Sequence, residues 1–222
     1  MLAGEAQPLP LELAPELLYN PEGNTAAFMV PGIVGIVLTQ IAVILTGLAI
    51  VREKETRMLE ALIATPVRPG ELVVGKVLPY LAIAFVDALL VLGVGRAVFA
   101  VPMRGSPALL LGLVFLFVLG SLAVGIVVSA RARTQIQAIF ATLVDYLPSI
   151  FLSGLFFPIE GMPRALQAVT YLIPLRYFLK AARGVMLRGV GLDALLVPFA
   201  ALALFTVLML VFATLSFRKR LL

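Results

Sequence analysis

The first residues whose types and spacing could do chemistry look like a phosphate-binding loop. Gly70, Gly75 and Lys76 stand at the spacing GxxxxGK, in which backbone N–H groups and a lysine cradle phosphates. A working loop of this kind follows a strand, and its lysine is followed by Ser or Thr, whose hydroxyl holds magnesium. Here Val77 follows the lysine, and a long apolar run begins at Val73. We therefore predict that the spacing is a coincidence and that this chain does not hydrolyse ATP by itself.

The composition excludes most other site chemistry and indicates a membrane protein. The 222 residues include no cysteine and no histidine, which excludes disulfides, the usual zinc and haem sites, and Cys–His or Ser–His catalytic pairs. Hydrophobic residues make up 62% of the chain and charged residues 13%, about half the charged share of a soluble domain. The net charge of +5 comes from basic residues that flank apolar runs, so nucleic acid is not an expected partner.

The elements that must position any site are membrane-spanning helices. A span needs about 20 mostly apolar residues, and five stretches qualify: 29–51, 73–100, 107–130, 135–157 and 194–217. Strand-type alternation of polar and apolar residues is absent from the sequence, so these spans are predicted to be helices. The predicted fold class is an all-α integral membrane protein with about five transmembrane helices.

The distribution of lysine and arginine predicts how the spans are oriented. One set of span ends carries nine basic residues in short loops, namely Arg52, Lys54, Arg57, Arg68, Arg131, Arg133, Arg218, Lys219 and Arg220. The opposite ends carry six basic residues over a longer stretch of chain. Because short cytoplasmic loops are enriched in Lys and Arg, the first set is expected in the cytoplasm. The N-terminal segment and residues 158–193 are then expected outside, and the C-terminus inside.

The segment after the first span has the pattern of a short amphipathic helix. Glu53 and Arg57 form an i,i+4 pair with the acid first, and Pro66 ends the helical pattern. The apolar residues recur at the three- and four-residue spacing of one helix face: Met58, Leu59, Leu62 and Ile63. Such a helix either lies on the lipid surface or docks its apolar face into a groove on a soluble partner. Periodicity alone leaves both interpretations open.

Four stretches of the chain together resemble a known family. They are REKETRMLEALIATPVRPGELVVGKVLPY (52–80), LYNPEGNTAAFMVPG (18–32), SARARTQIQA (129–138) and LSGLFFPIEGMPRALQAVTYLIPLRYF (152–178). These stretches are similar to the ABC-2 type membrane permeases, the export branch of the ATP-binding-cassette transporters, and particularly to multidrug-exporter-like permeases. The resemblance extends over about residues 18–222.

The resemblance implies a role for the amphipathic segment. In the family, the corresponding segment is the coupling helix, which seats in a cleft of a separate cytoplasmic ATPase, so the resemblance favours partner docking over lipid contact. The residues implied in coupling are Arg52, Glu53, Glu55, Arg57, Met58, Leu59, Glu60, Leu62, Ala64, Thr65 and Pro66. ATP and magnesium are then expected in the partner ATPase, and no cofactor is expected on this chain.

The resemblance also implies a re-entrant helical hairpin on the outer side, between the last two spans. Its marked residues are Pro158, Glu160, Pro163, Pro174, Arg176 and Tyr177. Arg176, Lys180 and Arg183 fall on about one helix face, which suits either contact with lipid headgroups or a gate for substrate release.

The family resemblance predicts the assembly as well. We expect a permease subunit of an exporter for drug-like or lipophilic substrates in a bacterial inner membrane, paired with a second permease chain and in some systems with a periplasmic adaptor. Relatives usually begin with a further span and a sizeable outer domain. Residues 1–28 are therefore expected to be an extracytoplasmic remnant of that domain, and 29–222 the transmembrane domain. The alternative is a truncated or non-transporting membrane scaffold.

Two carboxylates fall inside predicted spans. Asp87 lies near the middle of the second span and Asp145 near the middle of the fourth. A charge at that depth is costly unless it faces the bundle interior, a partner or water. One interpretation is a substrate or proton pathway. The other is a hydrogen bond, either between helices or, for Asp145, with the nearby Thr142 or Tyr146.

Overall fold

The part of the chain that the structure describes is a bundle of five long helices and several shorter ones. The computed structural model describes residues 25–56 and 69–218, and within these residues it contains helices and loops but no strand. The long helices are α1 (Thr25–Glu55), α2 (Pro69–Phe99), α3 (Pro107–Arg131), α4 (Gln135–Leu152) and α7 (Leu192–Arg218). Each is long and apolar enough to cross a membrane. The predicted all-α membrane fold with five spans is confirmed.

Shorter helices fill the stretch between α4 and α7. A single 3₁₀ turn (Ile159–Gly161) leads to α5 (Arg164–Thr170) and α6 (Pro174–Arg183). Helix α6 runs on into a π-helical turn (Gly184–Arg188) that ends at Gly189, whose φ of +68° is readily adopted only by glycine. The predicted helical hairpin is therefore present as α5 and α6.

The first helix is longer than its apolar run. Helix α1 continues through Arg52, Glu53, Lys54 and Glu55, so the charged residues after the span form its last turn. The predicted amphipathic helix beyond Thr56 lies outside the described residues, as do residues 1–24, Lys219 and Arg220. The coupling helix therefore stays a prediction, and the described structure includes only the last turn of α1 ahead of it.

The prediction for the fourth span is wrong at its C-terminal end. The apolar run predicted a helix to residue 157, but α4 ends at Leu152. Gly154 adopts φ +82°, a left-handed conformation that ends a helix, and Pro158 follows. The apolar residues 155–157 therefore belong to the approach to the hairpin. At 18 residues, α4 is the shortest of the five candidate spans.

Helix α3 is the centre of the bundle. It packs against α1, α2, α6 and α7, and a larger part of its apolar stretch is buried than in α2, α4 or α7. Phe117 of α3 stacks on Phe178 of α6 with ring centroids 4.3 Å apart, and both rings are buried. The stacking fixes the hairpin helix against the central span. Because α6 also packs on α1 and α7, most of its residues are buried, whereas Lys180 is exposed.

Two glycines allow α1 to pack this closely against α3 and α6. A Cβ added at Gly125 of α3 would lie 2.8 Å from the carbonyl oxygen of Val43 in α1. A Cβ added at Gly35 of α1 would lie 2.7 Å from Leu175 and 2.8 Å from Phe178 of α6. Small residues at helix crossings permit such contacts in membrane bundles. Helix α1 is thereby held against both α3 and the hairpin.

The bundle has two ends that carry different features. We call the end where α1 ends, α2 begins and α3 turns into α4 the turn end. We call the end that carries α5, α6 and the start of α7 the hairpin end. These two ends coincide with the two sets of span ends that the lysine and arginine distribution separates.

Candidate functional site

The phosphate-loop lookalike is helical. Helix α2 begins at Pro69, so Gly70 to Lys76 all lie within its first two turns. A phosphate-binding loop needs backbone N–H groups that converge on the ligand, whereas the N–H groups of Gly75 and Lys76 are directed along the helix. The geometry agrees with the prediction that the GxxxxGK spacing is a coincidence.

The turn end contains a hydrogen-bonded junction between α1 and the α3–α4 turn. The Lys54 ammonium donates to the carbonyl oxygen of Ser129 and, at 3.3 Å, to that of Ala132. The Glu55 carboxylate accepts from the backbone N–H of Gln135 at 3.0 Å and from the Gln135 side-chain amide. We call these contacts the α1–α4 latch. Its cation binds carbonyls at the C-terminal end of α3, and its carboxylate accepts from an N–H at the start of α4, the polarity that helix dipoles favour.

The start of α4 is capped independently of the latch. Thr134 Oγ1 accepts from the Gln137 backbone N–H at 3.3 Å, and the Gln137 side-chain oxygen accepts from the Arg133 N–H at 3.0 Å. A Thr followed three residues later by Gln is the sequence signature of such a cap. Glu55 therefore adds a contact from another helix to an N-terminus that is already formed.

The latch contains residues that the sequence interpretation missed. Of the predicted coupling residues, Arg52, Glu53 and Glu55 lie in the last turn of α1. The others lie outside the described residues: Arg57, Met58, Leu59, Glu60, Leu62, Ala64, Thr65 and Pro66. Lys54 and Gln135 were not among the predicted coupling residues. The only local signal for Lys54 is that cations favour helix C-termini, and that signal does not identify α3 as the neighbouring helix.

The two intramembrane carboxylates lie at separate places. Asp145 lines a cavity of about 150 Å³ between α1, α3, α4 and the start of α6, together with Thr39, Ser121 and Ser149. Asp87 belongs to α2 and does not line this cavity. The Thr142 hydroxyl donates to the Ile139 carbonyl in its own helix at 2.7 Å. A pathway role for either carboxylate stays a prediction.

The hairpin end contains a larger cavity with a cationic wall, which we call the hairpin cavity. Its volume is about 500 Å³, and Arg176, Lys180 and Arg183 of α6 line one side. These three residues are separated by four and three positions, so the predicted common helix face is confirmed. The opposite side is formed by Phe28 of α1 and the stretch 153–160 that follows α4.

The three cations of the hairpin cavity differ in their exposure and in the groups that they contact. Arg183 is only 8% exposed, donates to the Gly154 carbonyl oxygen at 3.2 Å and lies 3.6 Å above the Phe28 ring. Arg176 is half-buried, donates to the Thr170 hydroxyl and lies 4.0 Å above the Tyr171 ring. Lys180 is exposed. Arg183 is therefore part of the packed wall, and Lys180 is the most accessible of the three cations.

Some of the predicted hairpin residues line the hairpin cavity, and the others set the ends of the two short helices or the turn between them. Pro158, Glu160 and Arg176 line the hairpin cavity. Pro163 immediately precedes α5, and Pro174 is the first residue of α6. The Tyr177 hydroxyl donates to the Tyr171 carbonyl at 2.9 Å and so closes the turn between the two short helices.

Comparison with known proteins identifies the family of the bundle. The family described as "ABC-2 type transporter" matches residues 9–187, most of the chain. This chain belongs to the ABC-2 type transporter family. The ABC-2 match extends from ahead of α1 to the π-helical turn after α6, so it includes both the α1–α4 latch and the hairpin cavity.

Individual ABC-2 relatives agree with this assignment. The chain is 38% identical over 172 residues to the "Probable multidrug ABC transporter permease YbhS" of Escherichia coli, which is 77% of this chain and 46% of that protein. It is 30% identical over 218 residues to the E. coli "Inner membrane transport permease YhhJ", 96% of this chain and 57% of that protein. It is also 29% identical over 180 residues to the "ABC transporter G family member 20" of Dictyostelium discoideum, 81% of this chain and 25% of that protein. The chain thus spans about half the length of the bacterial relatives. The ABC-2 resemblance that the sequence motifs predicted is confirmed.

Proposed function

We propose that this chain is the membrane-spanning permease subunit of an ATP-binding-cassette exporter, which moves a drug-like or lipophilic substrate out of the cytoplasm. The observation that carries the proposal is the ABC-2 family match over residues 9–187, together with bacterial relatives that are named multidrug or transport permeases. ATP hydrolysis takes place in a separate ATPase subunit, which holds the nucleotide and magnesium. This chain binds the ATPase through residues 52–66.

The proposed orientation places the turn end in the cytoplasm and the hairpin end outside. Arg52, Lys54, Arg131 and Arg133 lie at the turn end, and the other basic residues of the first set follow or precede the same span ends in the sequence, which is the usual cytoplasmic bias. The ATPase is soluble and cytoplasmic, so the segment that it contacts must lie on that side. The N-terminal segment then faces outside, and the C-terminus faces the cytoplasm.

The α1–α4 latch supports a specific route by which movement of the ATPase reaches the membrane helices. The coupling segment begins in the last turn of α1, and that turn is bonded through Lys54 and Glu55 to the α3–α4 turn. A displacement of the coupling segment by the ATPase therefore acts on α1 and α4 together. Helix α4 carries Asp145, whose cavity lies against α1 and α3. Movement at the turn end would in this way change the walls of the cavity that Asp145 lines.

The substrate pathway is proposed to lie between two permease chains, which are identical or paired. Helices α2, α4 and α7 present apolar residues outward, among them Leu90, Val144 and Leu204. Such faces suit either lipid or another apolar helix, and a transport pathway needs some of them to face a partner. Asp145 on α4 is the carboxylate that we assign to this pathway.

An efflux measurement tests the proposed function. The permease and its ATPase, co-reconstituted in proteoliposomes, are expected to transport a lipophilic fluorescent dye only when ATP is supplied on the ATPase side. Transport should disappear when the ATPase carries a substitution in its own phosphate-binding loop, since the nucleotide is bound there. Dye fluorescence in the vesicle lumen reports the result.

Vesicles without the permease are the control that distinguishes the exporter hypothesis from the hypothesis of a non-transporting scaffold. Vesicles that contain the ATPase alone should hydrolyse ATP without moving dye. If vesicles with both subunits bind the ATPase yet move none of a panel of lipophilic dyes, the chain is a non-transporting scaffold.

The latch gives a prediction about coupling efficiency. Glu55→Ala should lower the amount of dye moved per ATP hydrolysed, because the start of α4 loses its contact with α1. Loss of a side-chain contact at a helix N-terminus typically costs about 0.5–2 kcal/mol, so we expect partial uncoupling and not loss of the fold. Dye transport and phosphate release, measured in the same vesicles, give this ratio.

A conservative variant serves as the control for the latch. Glu55→Gln keeps one oxygen that accepts from the Gln135 N–H, so it should retain most of the coupling that Glu55→Ala loses. Because Glu55 also belongs to the coupling segment, the dye-to-ATP ratios are compared at equal amounts of co-purified ATPase. Equal dye-to-ATP ratios for wild type and Glu55→Ala would show that the latch does not transmit force.

A further inference from the structure

The hairpin cavity has the size and the charge of a ligand-binding site, and the transport proposal assigns no role to it. It lies between α1, the 153–160 stretch and α6, and its volume of about 500 Å³ exceeds what a single ion or water molecule needs. Three of its lining side chains are cationic and one, Glu160, is acidic. The excess of positive charge favours an anionic group.

Two of the three cations are held in place before any ligand arrives. Arg183 is fixed between the Gly154 carbonyl and the Phe28 ring. Arg176 is fixed by the Thr170 hydroxyl and the Tyr171 ring, and a guanidinium carries further N–H donors beyond the one that it gives to Thr170. Lys180 lies one helical turn from both and is exposed. An anion that enters the hairpin cavity would thus meet an accessible ammonium beside two oriented guanidinium groups.

The surroundings of the hairpin cavity indicate that the anion is attached to an apolar chain. Leu155, Phe156, Ile159 and Leu179 also line the hairpin cavity, next to its cationic wall. On the same end of the bundle, Phe156 is 53% exposed, Tyr171 61% and Leu172 76%. Exposed aromatic and aliphatic residues of this kind are typical of the headgroup level of a bilayer. A ligand with an anionic head and an apolar tail fits both the cationic wall and the apolar surface beside it.

We propose that the hairpin cavity binds the phosphate headgroup of an anionic phospholipid. The phosphate contacts Lys180 and Arg176 beside the wall that Arg183 forms, and the acyl chains leave along Phe156 into the bilayer. A lipid bound here joins α6 to α1 and to the end of α4. This inference is independent of the proposed transport function, since the site requires neither the ATPase nor a substrate.

Native mass spectrometry of the purified full chain in detergent tests the lipid site. Wild-type protein is titrated with phosphatidylglycerol and, separately, with phosphatidylcholine of the same acyl chains. We expect phosphatidylglycerol to bind more tightly, because phosphatidylcholine carries a compensating positive charge. Lys180→Gln should weaken phosphatidylglycerol binding about tenfold, the usual effect of losing one charge-assisted hydrogen bond.

Lys180 is exposed, so its substitution should not disturb folding. Arg164→Gln is the matched control, because it removes one exposed positive charge from the same hairpin without lining the hairpin cavity. This control should bind phosphatidylglycerol like the wild type.

Three results would overturn the lipid assignment. The first is equal binding of both lipids by the wild type, and the second is an equal loss in the Arg164→Gln and Lys180→Gln variants. The third is displacement of phosphatidylglycerol by millimolar inorganic phosphate, which would assign the hairpin cavity to the free anion. Retention of the lipid in the presence of phosphate supports the proposal.

Discussion

Leu62→Asp is expected to abolish co-purification of the ATPase with this permease while leaving the permease in the membrane. Leu62 lies in the centre of the predicted apolar face formed with Met58, Leu59 and Ile63. An aspartate there would have to enter the cleft of the ATPase as an uncompensated charge. Loss of a single anchor residue typically costs about 2 kcal/mol or more, at least a thirtyfold loss of affinity, and a buried charge adds to this. Glu60 lies off the apolar face, and Glu60→Lys is expected to abolish docking for a different reason, because it reverses the charge that this side of the segment presents to the ATPase. Affinity purification of the tagged permease from membranes that contain both subunits measures the outcome.

The control for this prediction lies one residue away. Ala61→Asp introduces the same charge, but Ala61 is not part of the apolar face. It should leave the ATPase bound, and all three variants should be recovered in the membrane fraction at wild-type levels. Normal recovery of the ATPase with both Leu62→Asp and Glu60→Lys would show that residues 52–66 are not the docking segment, and the lipid-surface interpretation would then hold.

Gly125→Leu is expected to prevent correct assembly of the bundle. The Cβ alone would lie 2.8 Å from the Val43 carbonyl oxygen and 3.1 Å from the Cβ of Thr46, so α1 and α3 would have to separate. Overpacking usually costs about 1–3 kcal/mol. The upper part of that range is expected here, because the obstruction is backbone and cannot change rotamer. We expect a large loss of monodisperse protein in detergent, measured by size-exclusion chromatography and by the temperature of aggregation.

Gly112→Leu is the matched control for Gly125→Leu. Gly112 lies on the same helix α3, and no atom lies within 4 Å of a Cβ added there. The control makes an identical chemical change in the same helix, so it removes any effect of helix propensity or added apolar bulk. It should behave like the wild type. Equal loss of both variants would mean that the close contact between α1 and α3 does not limit stability.

The positions of the spans were predictable because hydropathy is a local property. Each of the five predicted apolar runs corresponds to a helix, and most boundaries differ by four residues or fewer. The hairpin was predictable from its motif, whose prolines precede or open α5 and α6. The exception is the end of α4, where the apolar run continues but the chain turns at Gly154. Hydropathy reports which residues avoid water, and it does not report where the backbone changes direction.

The burial and the hydrogen-bond partners of the charged side chains were much less predictable. Arg183 was expected beside Arg176 and Lys180 on one helix face, and all three do line one cavity. Their spacing did not reveal that Arg183 would be buried against Phe28 or would donate to Gly154, 29 residues earlier in the chain. Lys54 and Glu55 read as charges at the end of a span, and their partners lie 75 to 80 residues further along. Such contacts depend on which helices are neighbours.

The sequence by itself determined that this protein is a five-span helical membrane protein of the ABC-2 family, because apolar runs of span length and the family motifs are properties of short segments. The tertiary structure alone decided which segments meet: α3 at the centre, α6 between α1, α3 and α7, and the end of α1 bonded to the start of α4. The physical reason is that an apolar helix face is equally compatible with lipid and with another helix. Close packing at glycines such as Gly125, and hydrogen bonds between distant residues, distinguish the two environments, and both form only when the helices have assembled.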